Sequence, residues 1–422
     1  MSDSAEKGHI RKSLGWTTIA QFTGLGIRLI STVVVARFLP PSAYGLLGAG
    51  MAAVTMLEWL TDPGIVPALT RSPEGDREEW VRTGWSLNLT RGLGLASIGL
   101  LIAWPWSILM KQPELGPILA ALSLRPAILG LRSPGSLLYR RRMNFKAVAI
   151  EEVLQTLAGA SATLITAVLT GSVWALVAGT LVGACSVVAT SYVLAPGLPR
   201  FAWDPVALKE LKRFGTGVMA NTIAMAMSQN LDRLAGPRVV SIEELGLYSV
   251  AANLAAVGEG LIVRMCDVHF AALSRRPFPD DQSTEHARIR RKLGPAFLAF
   301  FVVATLAAPF VVRILYDARY HAAGIILSIL LIRLAVRSVT LFEFRTLLAR
   351  GTIRPATLGY LAAVPVQAAG LFLISRSSTA SGGEWLAVAG VAVAVVHLGV
   401  QSLAARTLRR GEAPGEAEQG TD

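Results

Sequence analysis

Five arginines, Arg28, Arg91, Arg125, Arg333 and Arg337, lie inside apolar stretches long enough to cross a bilayer. A guanidinium stays charged at any pH, and its planar fork offers phosphate or carboxylate two parallel hydrogen bonds. At the centre of a membrane helix each arginine costs about 2.5–3.5 kcal/mol, so five facing lipid would cost on the order of 12–18 kcal/mol. They are therefore expected to face a water-filled interior or internal partners. An interior lined with positive charge is a path for something anionic. Arg333 and Arg337 are one turn apart on one helix face, and Arg125 shares another face with Arg132.

Carboxylates accompany them. Glu58 and Asp62 are one turn apart in the second apolar stretch, and Glu259 sits in the eighth. A buried carboxylate can take up and release a proton during a transport cycle, or it can neutralise the arginines; both readings stand for Glu58 and Glu259. Asp62 and Asp232, near the ends of their stretches, read as structural. Arg132 and Arg345 lie near helix ends, where snorkelling or capping accounts for them, and Arg264 is an i,i+3 partner for Asp267. The sequence holds no P-loop, no glycine-rich dinucleotide fingerprint and no HExxH, and His269 near Asp267 does not make a metal site. No catalytic residue, metal or cofactor is expected.

The elements that must hold these residues are membrane helices. Of the 422 residues 53% are hydrophobic and only 16% charged, and the mean hydropathy is +0.51; soluble domains carry about 25% charged residues. About twelve stretches approach the twenty residues that span a bilayer: 14–37, 43–66, 83–108, 115–138, 147–170, 173–195, 212–236, 243–271, 293–315, 321–348, 354–375 and 384–405. The net charge of +12 does not point to nucleic acid, because most Lys and Arg fall on one set of alternate loops. By the positive-inside rule that set is cytoplasmic and includes both termini, as an even number of spans requires. The first stretch is too long for a cleavable signal core and reads as a retained span. Cys185 and Cys266 read as packing residues, and the tail after Gly411 as disordered.

A shift of about 200 residues superposes the two halves. Lys12-Ser13-Leu14-Gly15 meets Lys212-Arg213-Phe214-Gly215, Ala43-Tyr44-Gly45-Leu46 meets Glu244-Leu245-Gly246-Leu247, and Glu58 falls opposite Glu259. Six spans per half share one orientation, so the expected fold is all-α: two six-helix bundles related by a pseudo-twofold axis along the membrane normal. The expected domains are residues 1–200, residues 201–410 and the cytoplasmic tail 411–422.

Several short motifs in order carry a resemblance. They are Val35-Ala36-Arg37-Phe38-Leu39-Pro40-Pro41-Ser42-Ala43-Tyr44-Gly45 with Asp62-Pro63-Gly64, and Leu138-Tyr139-Arg140-Arg141-Arg142-Met143-Asn144-Phe145. Asn230-Leu231-Asp232-Arg233-Leu234 and Leu245-Gly246-Leu247-Tyr248-Ser249-Val250-Ala251 complete the set. Over roughly residues 10–280 the chain resembles the Wzx-like polysaccharide flippases of the multidrug/oligosaccharidyl-lipid/polysaccharide exporter (MATE-like) superfamily. The resemblance implies movement of a polyprenyl-diphosphate-linked oligosaccharide from the cytoplasmic to the periplasmic leaflet of a bacterial inner membrane. It also implies alternating access driven by a proton or sodium gradient, and polysaccharide polymerase and export machinery as partners. On this reading Arg28, Arg91, Arg125, Arg333 and Arg337 hold the diphosphate, while Glu58 and Glu259 couple to an ion. A multidrug or lipid-precursor exporter of the same superfamily is the nearest alternative, although cationic drugs would want an acidic, aromatic cavity. A glycan polymerase or ligase is the competing class, and the short outer loops near Lys111, Arg238, Arg319 and Arg376 count against it.

Overall fold

The computed structural model describes residues 3–61, 64–273, 279–349, 354–376 and 381–411. Asp62, the side chains of Arg264, Asp267 and His269, and the tail beyond Gly411 lie outside the described residues. The described chain is all-helical, with no strand among these residues. Each of the twelve expected spans coincides with a helix or a broken pair of helices. Nine segments among the described residues are long and apolar enough to cross a membrane; the protein is a multi-pass membrane protein. The remaining three expected spans are shorter in apolar length or interrupted by charge. The apolar parts of the first and fourth are Ala20–Val35 and Leu115–Gly130, and the seventh carries Asp232 and Arg233.

The chain divides into two compact units. The first comprises Met1–Ile223, Arg233–Gly246 and Leu315–Arg319. Its helices are α1 (Asp3–Val35), α2 (Pro41–Leu60), α3 (Ile65–Arg71), α4 (Glu78–Met110), α5 (Leu115–Leu122), α6 (Leu124–Gly130), α7 (Phe145–Thr170), α8 (Trp174–Leu194) and the first part of α9 (Pro205–Val239). Their ends follow local chemistry. Pro41 starts α2 at a position whose N–H would be unsatisfied in any case. The Asn144 side chain accepts from the Ala147 N–H to cap α7, and Asp204 accepts from the Ala207 N–H to cap α9. Gly171, at φ +58°, closes α7 in the left-handed region.

Small residues set how closely these helices approach. A methyl group on Gly179 would meet the Thr163 hydroxyl and the Gly159 carbonyl, so α7 and α8 touch along a glycine seam. One on Gly92 would meet the Pro126 carbonyl, which brings α4 against α6. Where the expected fourth span should be continuous, the helix breaks at Ser123 and ends in a 3₁₀ turn at Pro134–Leu138. Proline is disfavoured within a helix, and Pro126 follows that break while Pro134 follows the end. At the other end of this unit a core of Ile65, Leu69, Trp80, Trp85, Leu89 and Leu137 takes Ala207 and Leu211 from the start of α9. Beside it the Arg141 guanidinium donates to the carbonyls of Leu69, Thr70, Ser72 and Pro73 and pairs with Asp76. Five acceptors on one cation fix the α3–α4 turn.

The second unit comprises Ala224–Asp232, Leu247–Ile314 and Tyr320–Asp422. It holds most of α10 (Ile242–Leu273) and α11 (Pro279–Leu315), together with α12 (Ala323–Ala349), α13 (Arg354–Arg376) and α14 (Gly382–Gly411). Its core gathers Ile262 and Cys266 of α10, Phe301 of α11 and Leu334 of α12, with Phe297 and Phe342 packed against them. Cys266 is the packing residue the sequence suggests, whereas Cys185 is exposed.

The repeat leaves a mark within the first unit. Gly45 and Gly246, which the internal alignment pairs, lie at a crossing of the first turns of α2 and α10. A methyl on Gly45 would meet the Ile242 carbonyl and the Gly246 N, and one on Gly246 would meet the Pro41 carbonyl. Each glycine admits the backbone of the other's helix. Gly45→Ala is expected to cost about 1–3 kcal/mol by overpacking. Gly94→Ala on α4, where nothing lies within 4 Å of the new methyl, should gain about 0.5–1 kcal/mol from helix propensity. Thermal unfolding of the two variants in the same detergent checks this; equal midpoints would remove the crossing as a constraint.

Candidate functional site

In the first unit the break at Ser123 and the contact at Gly92 bring α2, α4 and α6 around a cavity of about 280 Å³, lined by Glu58, Asn88, Arg91, Leu95, Arg125 and Arg132 among others. The Arg125 Nη1 donates to both oxygens of Glu58, at 2.7 and 3.0 Å. Both side chains are about one-fifth exposed, Arg125 at 21% and Glu58 at 19%, so the pair borders the cavity and is not sealed from it. The other nitrogens of Arg125 have no partner among the described residues. Arg91 acts differently. Its Nη2 donates to the Glu58 backbone carbonyl and its Nε to the Thr61 hydroxyl at 3.1 Å. That places a cation on the unpaired carbonyl end of α2, where the helix dipole favours positive charge. Arg132, at the cavity edge, pairs with Glu151 of α7, and its Nε has no partner among the described residues.

The second unit contains the same motif. Arg337 of α12 pairs with Glu259 of α10 at 2.9 Å. Glu58–Arg125 joins the second expected span of the first half to its fourth, and Glu259–Arg337 joins the second of the other half to its fourth. One turn away, the Arg333 Nη1 donates to Asp232 Oδ2 at 3.4 Å and lies 3.3 Å from the Tyr248 hydroxyl, which donates to the same Asp232 oxygen. This triad is buried, with Asp232 5% and Arg333 14% exposed in their side chains. Gly390 of α14 leaves room for it; a methyl there would meet the guanidinium. With its amide turned to satisfy both neighbours, Gln367 donates to the Ser228 carbonyl and accepts from the Asp232 N–H.

Thus Glu58, Arg91 and Arg125 share one wall, and Glu259, Arg333 and Arg337 lie on facing helices of the second unit. Arg28, on α1, is exposed and has no ion-pair partner among the described residues. Asp232, read from sequence as structural, is the counter-ion of Arg333. Arg345 lies over the Phe344 ring, 5.9 Å from its centroid. Glu151, Tyr248 and His397 were not legible as site residues. Glu151 is an acid within a predicted span and could have been found by the criterion that picked Glu58. His397 is buried against Gly359 and Tyr360, and only its position inside a predicted span hinted at it. Outside the spans, burial and then the Glu151 carboxylate push the Tyr139 phenol above its usual range. It stays protonated at neutral pH.

Among the described residues no group of three or more His, Cys, Asp or Glu could hold a metal ion. The chemistry on hand is charge pairing and oxyanion binding by guanidinium groups. Removing one partner of the buried triad should expose its energetics. Arg333→Met strands Asp232 and is expected to cost about 3–5 kcal/mol, whereas the double variant Arg333→Met/Asp232→Leu should recover most of it. Denaturant unfolding of both variants provides the check, and equal losses would show that the two groups do not interact.

Comparison with known proteins agrees with this architecture. The chain is 25% identical over 313 residues to the succinoglycan biosynthesis transport protein ExoT of Rhizobium meliloti (strain 1021), covering 73% of this chain and 61% of that protein. It is 25% identical over 247 residues to the lipopolysaccharide biosynthesis protein WzxC of Escherichia coli (strain K12), covering 57% of this chain and 49% of the relative. The chain therefore spans about half to three-fifths of the length of these relatives. Among solved structures, an inward-facing multidrug resistance MATE family transporter of the MOP superfamily aligns with a TM-score of 0.71 at 15% identity, over 95% of this chain and all of that one. The lipid II flippase MurJ aligns with a TM-score of 0.70 at 11% identity, over 93% and 87% of the two chains. Both are similarities of fold. Residues 34–324 match the sequence profile described as "Polysaccharide biosynthesis protein", and the chain belongs to that family.

Proposed function

We propose that the protein moves a polyprenyl-diphosphate-linked oligosaccharide from the cytoplasmic to the periplasmic leaflet of a bacterial inner membrane by alternating access, for surface polysaccharide synthesis. The observation that carries this reading is the cavity of the first unit, where three arginines face a single lining carboxylate. A diphosphate ester is the anion such a wall suits, because each phosphate can accept from a guanidinium edge. Family membership and the relatives' names, a transport protein among them, support a transporter over an enzyme. The reading takes Arg28, Arg91, Arg125, Arg333 and Arg337 as the groups the lipid-linked anion meets, and Glu58 and Glu259 as the acids through which a proton or sodium gradient acts. It places both termini in the cytoplasm and takes residues 1–200 and 201–410 as the two bundles, with 411–422 as a tail. Polymerase and export machinery would act on the delivered product.

The test is to inactivate the gene and determine on which leaflet lipid-linked oligosaccharide accumulates. Accumulation on the cytoplasmic leaflet is expected; accumulation on the outer leaflet would assign the protein to a later step and overturn the flippase reading.

Arg28 offers a sharper test of residue roles. It has no internal carboxylate to satisfy among the described residues, so removing it should leave folding unchanged within about 0.5 kcal/mol, the range of substitutions away from packed or paired groups. Arg28→Ala is expected to lower export at least tenfold, while Arg28→Lys, which keeps the charge, should retain part of it. Full complementation by Arg28→Ala would take Arg28 out of the substrate path.

A further inference from the structure

The first unit holds a second cavity that shares no lining residue with the one around Glu58 and Arg125. It measures about 240 Å³ and is lined by Arg71 at the end of α3, Ser72 and Pro73 of the α3–α4 turn, Trp80 of α4, and Glu210 and Leu211 of α9. Its walls come from two loops between expected spans, both in the set rich in Lys and Arg. We propose that this cavity seats the headgroup of a zwitterionic aminophospholipid, with the phosphate on Arg71 and the ammonium on Glu210 and Trp80.

The lining presents one cation, one anion and one indole. A purely anionic ligand would meet the Glu210 carboxylate, and a purely cationic one the Arg71 guanidinium. A ligand bearing both charges satisfies both. The Trp80 ring, only 3% exposed, adds a π-face on which a primary ammonium can rest. The volume is below the roughly 300–1,000 Å³ that takes a drug-sized molecule. The cavity therefore suits a headgroup and leaves the acyl chains outside.

Those chains have a surface to lie on. Ahead of the cavity the backbone runs along α4, where the Ala202 N–H donates to the Ser86 hydroxyl at 3.1 Å and the Asp204 N–H to that of Thr83 at 3.0 Å. Between and beside these anchors Phe201 and Trp203 are 60% and 49% exposed, and Leu198 and Val206 are exposed with them. All four lie outside the expected spans, so crossing the bilayer does not account for their exposure. Aromatic side chains gather at the level of lipid headgroups, and exposed Arg200 and Lys209 beside them suit the phosphates there. Phe201 packs edge-on to Trp85 at 5.5 Å, and Ala207 and Leu211 enter the core that contains Trp80. The strip is thereby fixed to the unit that holds the cavity. Val206 and Glu210 are one turn apart on α9, so the apolar strip ends where the cavity begins. A seated headgroup bridges the α3–α4 turn to the start of α9.

The test titrates the full-length protein in detergent with dioleoyl phosphatidylethanolamine, phosphatidylcholine or phosphatidylglycerol and reads the first bound lipid by native mass spectrometry. Phosphatidylethanolamine is expected to bind about tenfold tighter than phosphatidylcholine, whose quaternary ammonium cannot donate to Glu210. A similar margin, about tenfold, is expected over phosphatidylglycerol, which has no ammonium. Glu210→Ala should erase both preferences, whereas Arg71→Ala should weaken all three lipids together. Both side chains are exposed, and the wild-type series needs no variant to fold. Equal wild-type affinity for phosphatidylethanolamine and phosphatidylcholine, or a preference that survives Glu210→Ala, would overturn the proposal. So would soluble O-phosphoethanolamine binding as tightly as the lipid, because the occupant would then be a free zwitterion. No lipid-linked oligosaccharide enters the measurement, so it and the leaflet experiment fail independently.

Discussion

Charge neutralisation inside an apolar bundle is the constraint on which the rest of this structure depends. A lone guanidinium or carboxylate at membrane depth is costly enough to unseat a helix, so the arginines and acids that the sequence places within spans must find one another. Glu58 with Arg125, Glu259 with Arg337, Asp232 with Arg333 and Glu151 with Arg132 do so. Helix approach follows from these pairings. Glycine at positions 92 and 390 lets α4 meet α6 and gives Arg333 space on α14, distances at which a carboxylate and a guanidinium on separate helices can touch. Packing in lipid lacks a hydrophobic drive between helices, and polar pairs of this kind decide which helix faces which.

Much of the fold was legible because its signal is local. Hydropathy located twelve apolar stretches, each of which coincides with a helix or a broken pair of helices, and the offset of about 200 residues pairs Gly45 with Gly246, which lie against each other where α2 and α10 cross. The interruption at Ser123 was not legible. Ser123 and Pro126 lie in a run that is apolar on both sides, and hydropathy does not register a break in hydrogen bonding. The candidate site was legible by residue type and not by partner. Glu58 and Arg125 are 67 residues apart in the chain, and no periodicity within a helix reports a contact of that range. Arg91 illustrates the cost. Its sequence marks it as a cation within an apolar stretch, and its donors rest on the end of α2, a partner that exists only once α4 has packed beside it.

The repeated acid–arginine pair also shows how duplication makes difference possible. Both halves tie their second span to their fourth with one carboxylate and one guanidinium, which secures the helices in each. In the second unit a further acid and a tyrosine enclose the neighbouring arginine, and Gly390 removes the bulk that would prevent it. In the first unit the helix break at Ser123 leaves the pair beside open space. A closed pair stabilises, since the donors it spends are returned by acceptors already in place. An open pair retains donors for a visitor while the resident carboxylate keeps the guanidinium tolerable in the visitor's absence. The same two residue types thus serve as a fastener at Arg333 and Asp232 and as a receptive surface at Arg125 and Glu58, and the difference lies in the surroundings and not in the charges themselves.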